Sequence, residues 1–134
     1  MNTEIPFFIL SAETDIHTTN ENAYRHSMLA RQLRKAGFAT ANCTGVYEGR
    51  SERSILVIDE TPRVCDCFNA VMRLARTYAQ KSILSVDANR NANIVPTDVR
   101  EGAKWIGRFV SVTEEVAKAE GDYTCRADRY YVCR

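Results

Sequence analysis

The 134-residue sequence has no apolar run long enough to cross a bilayer. Its most apolar early stretch, Ile5 to Leu10, is far too short, and no basic segment precedes it as a secretory signal would require. These absences lead us to expect a cytoplasmic protein without a membrane partner. Charge of one sign is also missing. Eighteen basic residues against seventeen acidic ones give a net charge of +1, too little field to gather nucleic acid or an anionic membrane, so neither is expected as a partner. Five cysteines (Cys43, Cys65, Cys67, Cys125 and Cys133) are an odd number without a secretory signal, which excludes a complete disulfide framework and implies reduced thiols. Cys65 and Cys67 stand two apart in a helical pattern, where they do not share a face, and no second Cys or His pair lies at ligand spacing. No metal site is expected. There is no internal repeat, low-complexity segment or linker.

What remains is the composition of a globular protein, 45% hydrophobic and 26% charged, with room for one core and hence a single domain over residues 1–134. Residues 5–12 form a compact apolar run bounded by polar residues, which predicts a buried strand. From Asn20, the spacing of Tyr24, Met28, Leu29, Leu33 and Ala36 predicts an amphipathic helix that Gly37 can end. Phe38 to Tyr47 and Ser54 to Ile58 then read as two strands, joined by a hairpin through Glu48-Gly49-Arg50-Ser51.

Thr61-Pro62 has the form of a helix start. Behind it Val64, Cys67, Phe68, Val71, Leu74, Ala75 and Tyr78 make the strongest periodic stripe in the chain. Ile83 to Val86 predicts a fourth strand. The order βαββαβ implies an α+β, ferredoxin-like antiparallel sheet with helices on one face. Beyond Asp87 the pattern is weaker: a turn-rich stretch from Asn89 to Asn93, a strand from Trp105 to Val112, a helical turn from Glu114 to Glu120 and a closing strand from Tyr130 to Cys133, read as C-terminal additions to that sheet.

Chemistry is concentrated between Thr44 and Ser54. Gly45 and Gly49 let the backbone approach a ligand or turn with positive φ, and Tyr47, Glu52 and Ser54 offer an aromatic hydroxyl, a carboxylate and a small donor. By composition alone the stretch also reads as a solvated hairpin loop.

In this region the sequence resembles the phage-encoded S-adenosylmethionine lyases, formerly described as hydrolases. The resemblance rests on Ser11-Ala12 ending the first strand; Asn22, Arg25 and His26 on the helix; Thr44, Gly45 and Tyr47; Glu52 before the next strand; Gln80 before the fourth; and Gly107, Phe109 and Val112. Each match is short, and it is their common order over most of the chain that makes the likeness. Glu48 is the rival of Glu52, because the link from Tyr47 is shorter here.

The resemblance implies a trimer like the PII signalling proteins, with S-adenosylmethionine bound at subunit interfaces and no cofactor. It further implies degradation to methylthioadenosine and homoserine lactone as a phage counter-defence in the host cytoplasm. Tyr47 and Glu52 would be catalytic, with Gly45, Arg53, Ser54 and Gln80 binding substrate. Two alternatives stay open: hydrolysis to homoserine, and a non-catalytic PII-like module that binds an adenosine ligand. Arg25 and Gln80 read equally well as supports between helix and sheet. Trp105, Tyr123, Tyr130 and Tyr131 read as packing of the C-terminal region or of a subunit interface, and neither His17 nor His26 is given a catalytic role.

Overall fold

A computed structural model describes residues 5–61 and 65–134. The first strand, β1 (Phe7–Ser11), is buried along its whole length, as its unbroken apolar sequence requires of a strand covered on both faces. Helix α1 (Thr19–Lys35) starts at a capping box in which the Thr18 hydroxyl accepts from the Glu21 amide and the Glu21 carboxylate accepts from the Thr18 amide. It ends at Ala36, followed by Gly37 with φ of 94°. Strands β2 (Thr40–Tyr47) and β3 (Arg50–Ile58) pair with Tyr47 opposite Arg50, which leaves Glu48-Gly49 as a two-residue turn. Both turn residues have positive φ, 50° and 79°, so the turn has the twist that two-residue hairpins favour.

Helix α2 (Asp66–Thr77) has Cys65 as its N-cap, without a side-chain bond. The Thr61-Pro62 start expected from sequence rests on Pro62 and Val64, which lie outside the described residues. The chain continues through β4 (Ser82–Val86), β5 (Asn91–Pro96), β6 (Lys104–Val112), α3 (Glu114–Glu120), β7 (Tyr123–Arg126) and β8 (Arg129–Cys133).

These strands form a closed antiparallel barrel in the order β1-β3-β2-β7-β8-β6-β5-β4. The expected ferredoxin-like open sheet with helices on one face is thereby overturned. Strands β2, β3, β1 and β4 do lie side by side under α1 and α2, but β7 pairs with the outer edge of β2 and β5 with the outer edge of β4. The C-terminal strands are thus half of the barrel rather than additions to a sheet. The reason is visible on β1. Phe8 and Leu10 pack outward with Leu29, Leu33, Val71 and Ala75 of the helices. Phe7 and Ile9 point the other way, where they join Leu56, Leu84, Val86, Ala92 and Phe109 in a second apolar cluster inside the barrel. An open sheet would leave that second face in water; closure buries it within one chain.

Two further expectations are corrected. Tyr24, placed on the core stripe of the first helix, is 67% exposed. The stretch from Asn89 to Asn93 is a turn only to Arg90, after which β5 begins.

Candidate active site

Residues directly opposite one another on paired strands share a face, so the register fixes what points into the barrel. Ile9 faces Leu56, Ser11 faces Ser54, Cys43 faces Ser54, and Gly45 faces both Glu52 and Thr124. Read along β1 and β3, the inward positions pass from Phe7, Ile9 and Leu56 to Ser11, Ser54 and Glu52. The barrel is therefore apolar at one end and polar at the other. At the polar mouth lies a cleft of about 440 Å³ whose walls include Ser11, Glu13, Gly45, Tyr47, Glu52, Ser54, Gln80, Lys81 and Thr124. A smaller lobe of about 240 Å³ adjoins it, and Tyr47 and Glu52 border both.

Tyr47 and Glu52 are brought together by the two-residue turn between their strands. A Cβ on Gly45 would lie 3.3 Å from Cε2 of Tyr47 and 3.7 Å from Oγ of Ser54, so the tyrosine ring leans back across the residue that faces Glu52. Here glycine supplies space rather than an unusual φ. Tyr47 is 43% exposed over the mouth. Burial of its hydroxyl end, aided by Cys133 and Glu52, nevertheless pushes its ionisation up to about 12, so it is a neutral donor at physiological pH.

Among the described residues the Glu52 carboxylate makes no hydrogen bond or salt bridge. Burial raises its pKa, as do the nearby charges of Glu13 and Asp15, while Arg50 opposes the rise. Glu13 is held by Arg53: its Oε2 accepts from the Arg53 backbone amide and from Nε at 3.2 Å. Asp15 pairs with Arg50, which keeps its carboxyl below the usual range. On the cleft floor Ser54 and Thr124 are 3% and 7% exposed, and among the described residues neither hydroxyl makes a hydrogen bond. The mouth thus joins three carboxylates to a floor of unused hydroxyls. It suits a cation that also carries hydrogen-bonding groups.

Of the residues singled out from sequence, Tyr47, Glu52, Gly45, Ser54 and Gln80 line the cleft. Arg53 does not. It stands between two inward residues and clamps Glu13 from the other side of the strand. The amide of Gln80 is occupied by the carbonyls of Glu13 at 2.9 Å and Tyr78 at 3.2 Å, so it braces the loop that carries Glu13. Arg25 is a brace as well, donating to Ala12 at 2.7 Å and Tyr78 at 2.6 Å. Glu48, the rival carboxylate, sits on the exposed turn, where its amide bonds Asp122.

Sequence reasoning missed Glu13, Asp15, Lys81 and Thr124. A strand that ends in Ser-Ala-Glu-Thr-Asp places acids at a sheet end, and that was the available signal for the first two. Thr124 belongs to a strand the pattern did not reveal. Among the described residues, no three His, Cys, Asp or Glu side chains converge as a metal centre would need, and no helix is long and apolar enough to cross a membrane.

No curated protein sequence matches the chain. Residues 8–134 match the family model described as the S-Adenosylmethionine lyase family, which spans all but the first seven residues and thus takes in the barrel, save the first residue of β1, and the whole cleft.

Proposed function

We propose, from the chain's membership of the S-adenosylmethionine lyase family, that the cleft at the polar mouth is where this lyase holds its substrate. The observation that carries the assignment is the pair of Tyr47 and Glu52: a carboxylate with no hydrogen bond or salt bridge among the described residues, beside an aromatic ring, at the end of the barrel where the inward positions of β1 and β3 turn polar. S-adenosylmethionine presents two cations, an ammonium and a sulfonium. Glu52 pairs with the ammonium and keeps it from neutralising the substrate's own carboxylate. The face of Tyr47 meets the sulfonium, a contact of the cation–π kind.

With both ends held, a carboxylate oxygen attacks the γ-carbon as the carbon–sulfur bond breaks. The products are homoserine lactone and methylthioadenosine, and the electron pair of the broken bond leaves on sulfur. Because nucleophile and leaving group belong to one molecule, orientation does most of the work; well-aligned intramolecular reactions gain roughly 7–11 kcal/mol. Charge is lost as the two ions meet, so a site drier than water favours the step. The residues present need no cofactor for this chemistry.

Ser54, Thr124 and Gly45 line the part of the cleft left for the nucleoside. The family resemblance extends the proposal to a homotrimer with sites at subunit interfaces, and the exposure of Tyr47 leaves a side of the site that a second copy would close. It also extends it to removal of S-adenosylmethionine from a phage host. Both rest on the resemblance.

Pure protein incubated with S-adenosylmethionine tests the reading. We expect methylthioadenosine together with homoserine lactone at the earliest times, both lost in Glu52→Gln. Homoserine without prior lactone would mean that water is the nucleophile. Tight binding without turnover would leave a non-catalytic module that binds an adenosine ligand instead.

A further inference from the structure

The opposite end of the barrel has a cavity of its own, about 410 Å³, within the size range of small-molecule sites. Its walls are apolar, with Phe7, Ala41, Leu56 and Ile58 facing inward and Tyr131 to one side. Tyr131 is fixed by stacking on Phe109, with ring centroids 4.9 Å apart and planes 17° apart. A void of about 10 Å³, bounded by Phe7, Leu56, Phe109, Thr124, Arg126 and Tyr131, lies between this cavity and the catalytic cleft, so packed side chains separate the two.

The rim is made by the β7–β8 hairpin. Arg126 and Arg129 are directly opposite in its register and both line the cavity. Like charges facing each other across a strand pair are destabilising. Arg50, Arg53, Arg100 and Arg134 each have a carboxylate partner. Among the described residues Arg126 and Arg129 make neither a salt bridge nor a hydrogen bond. Guanidinium groups are the side chains best suited to grip a planar anion with paired hydrogen bonds.

We propose that this end of the barrel is a second ligand site, which takes a small molecule with an apolar body and a terminal carboxylate, sulfonate or phosphate. The body fills the space over Phe7 and Leu56, and the anionic group lies between Arg126 and Arg129. One ligand would meet two conditions that the described residues leave open: an unfilled apolar cavity and a facing pair of cations.

Anilinonaphthalene sulfonate provides an apolar body with one anionic group, and uncharged N-phenylnaphthylamine provides a similar body without it. In fluorescence titrations of the full chain we expect one saturable site for the sulfonate. It should weaken about tenfold or more in Arg126→Gln/Arg129→Gln, whereas the neutral probe changes little. Ala41→Phe, which fills the cavity, should abolish binding of both while thermal unfolding stays cooperative. Glu52→Gln should bind the sulfonate as the wild type does.

Equal sulfonate affinity in the double arginine variant would overturn the proposal, and so would loss of binding in Glu52→Gln, which would place the probe in the catalytic cleft. A chain lacking residues 1–4 should bind as the full chain does. A gain of about tenfold there would show that the chain's own amino terminus is the occupant, which also overturns it.

Discussion

The two ends of the barrel are made by the same strands under the same alternation, yet they obey opposite rules. At the apolar end aromatic side chains pack on one another below the cavity: Phe7 meets Phe109 edge-on with centroids 5.2 Å apart, and Phe109 stacks on Tyr131. At the polar end Glu52, Ser54 and Thr124 occupy inward positions without hydrogen bonds among the described residues. These groups open onto the cleft rather than being sealed in the core, so a ligand that enters it can meet them. The difference teaches where to look for chemistry in a small barrel: at the level where the inward register stops being apolar.

If that division holds, damage at one end should change stability and damage at the other should change turnover. The largest effect is expected from Phe109→Ala, which opens a hole between two aromatic neighbours and should lose about 3–5 kcal/mol of stability by urea denaturation. The folded fraction should retain its activity per molecule. A comparable fall in activity of fully folded protein would break the division.

Next in size is Glu52→Gln, expected to lower kcat/KM by about 100-fold or more, near 3 kcal/mol of transition-state stabilisation. Its stability should move the opposite way. The pKa of Glu52 is raised in the folded state. Its contribution is therefore fully present below the unfolded pKa and is lost as pH rises through the folded value. At neutral pH the buried charge opposes folding, so the glutamine variant should be the more stable protein, and the gap should close below about pH 4.

The amino-terminal half of the fold was readable because its pattern is strong: α2 carries a periodic stripe, α1 ends at Gly37, and the hairpin holds Glu48-Gly49. The carboxy-terminal half was not. Strand β7 is four residues long, and β5 is interrupted by a register shift between Ala92 and Asn93, so neither shows a clean alternation. Closure itself is a long-range event, and its nearest local trace is Gly107. That residue adopts φ of 115°, and a Cβ there would lie 2.7 Å from the backbone of Arg134, so glycine allows β6 to meet the chain end. The family resemblance included Gly107 without revealing why. In the cleft, Tyr47 and Glu52 were found because their spacing is local. Glu13 and Thr124 were not, because they reach the mouth through strand pairings distant in sequence, β1 with β3 and β7 with β2.

Gly45 sharpens the comparison at a smaller scale. Gly45→Ala leaves φ unstrained but sets a methyl group 3.3 Å from the Tyr47 ring, which must shift by a few tenths of an ångström. Because the ring is at the open mouth, stability should fall by less than about 1 kcal/mol. Because it stands beside Glu52, kcat/KM should fall about tenfold. Adding Tyr47→Ala should make the two glycine and alanine backgrounds alike; persistence of the deficit would show that Gly45 acts by some route other than the ring.

The smallest expected effect is also the most selective. Glu13 raises the pKa of Glu52 by like-charge repulsion while its own Oε2 holds the Arg53 amide. Glu13→Gln keeps an acceptor for that amide, so β3 should stay in place, but it removes the negative charge and leaves Arg53 unneutralised. Both changes favour the ionised form of Glu52. If, as proposed, the ionised form pairs with the substrate ammonium, the acidic limb of the kcat/KM profile should move to lower pH, with the plateau nearly unchanged. A merely structural role for Glu13 predicts the reverse, a lower plateau with the limb where it was. The pH profile therefore distinguishes an electrostatic function of the polar mouth from simple bracing of its loop.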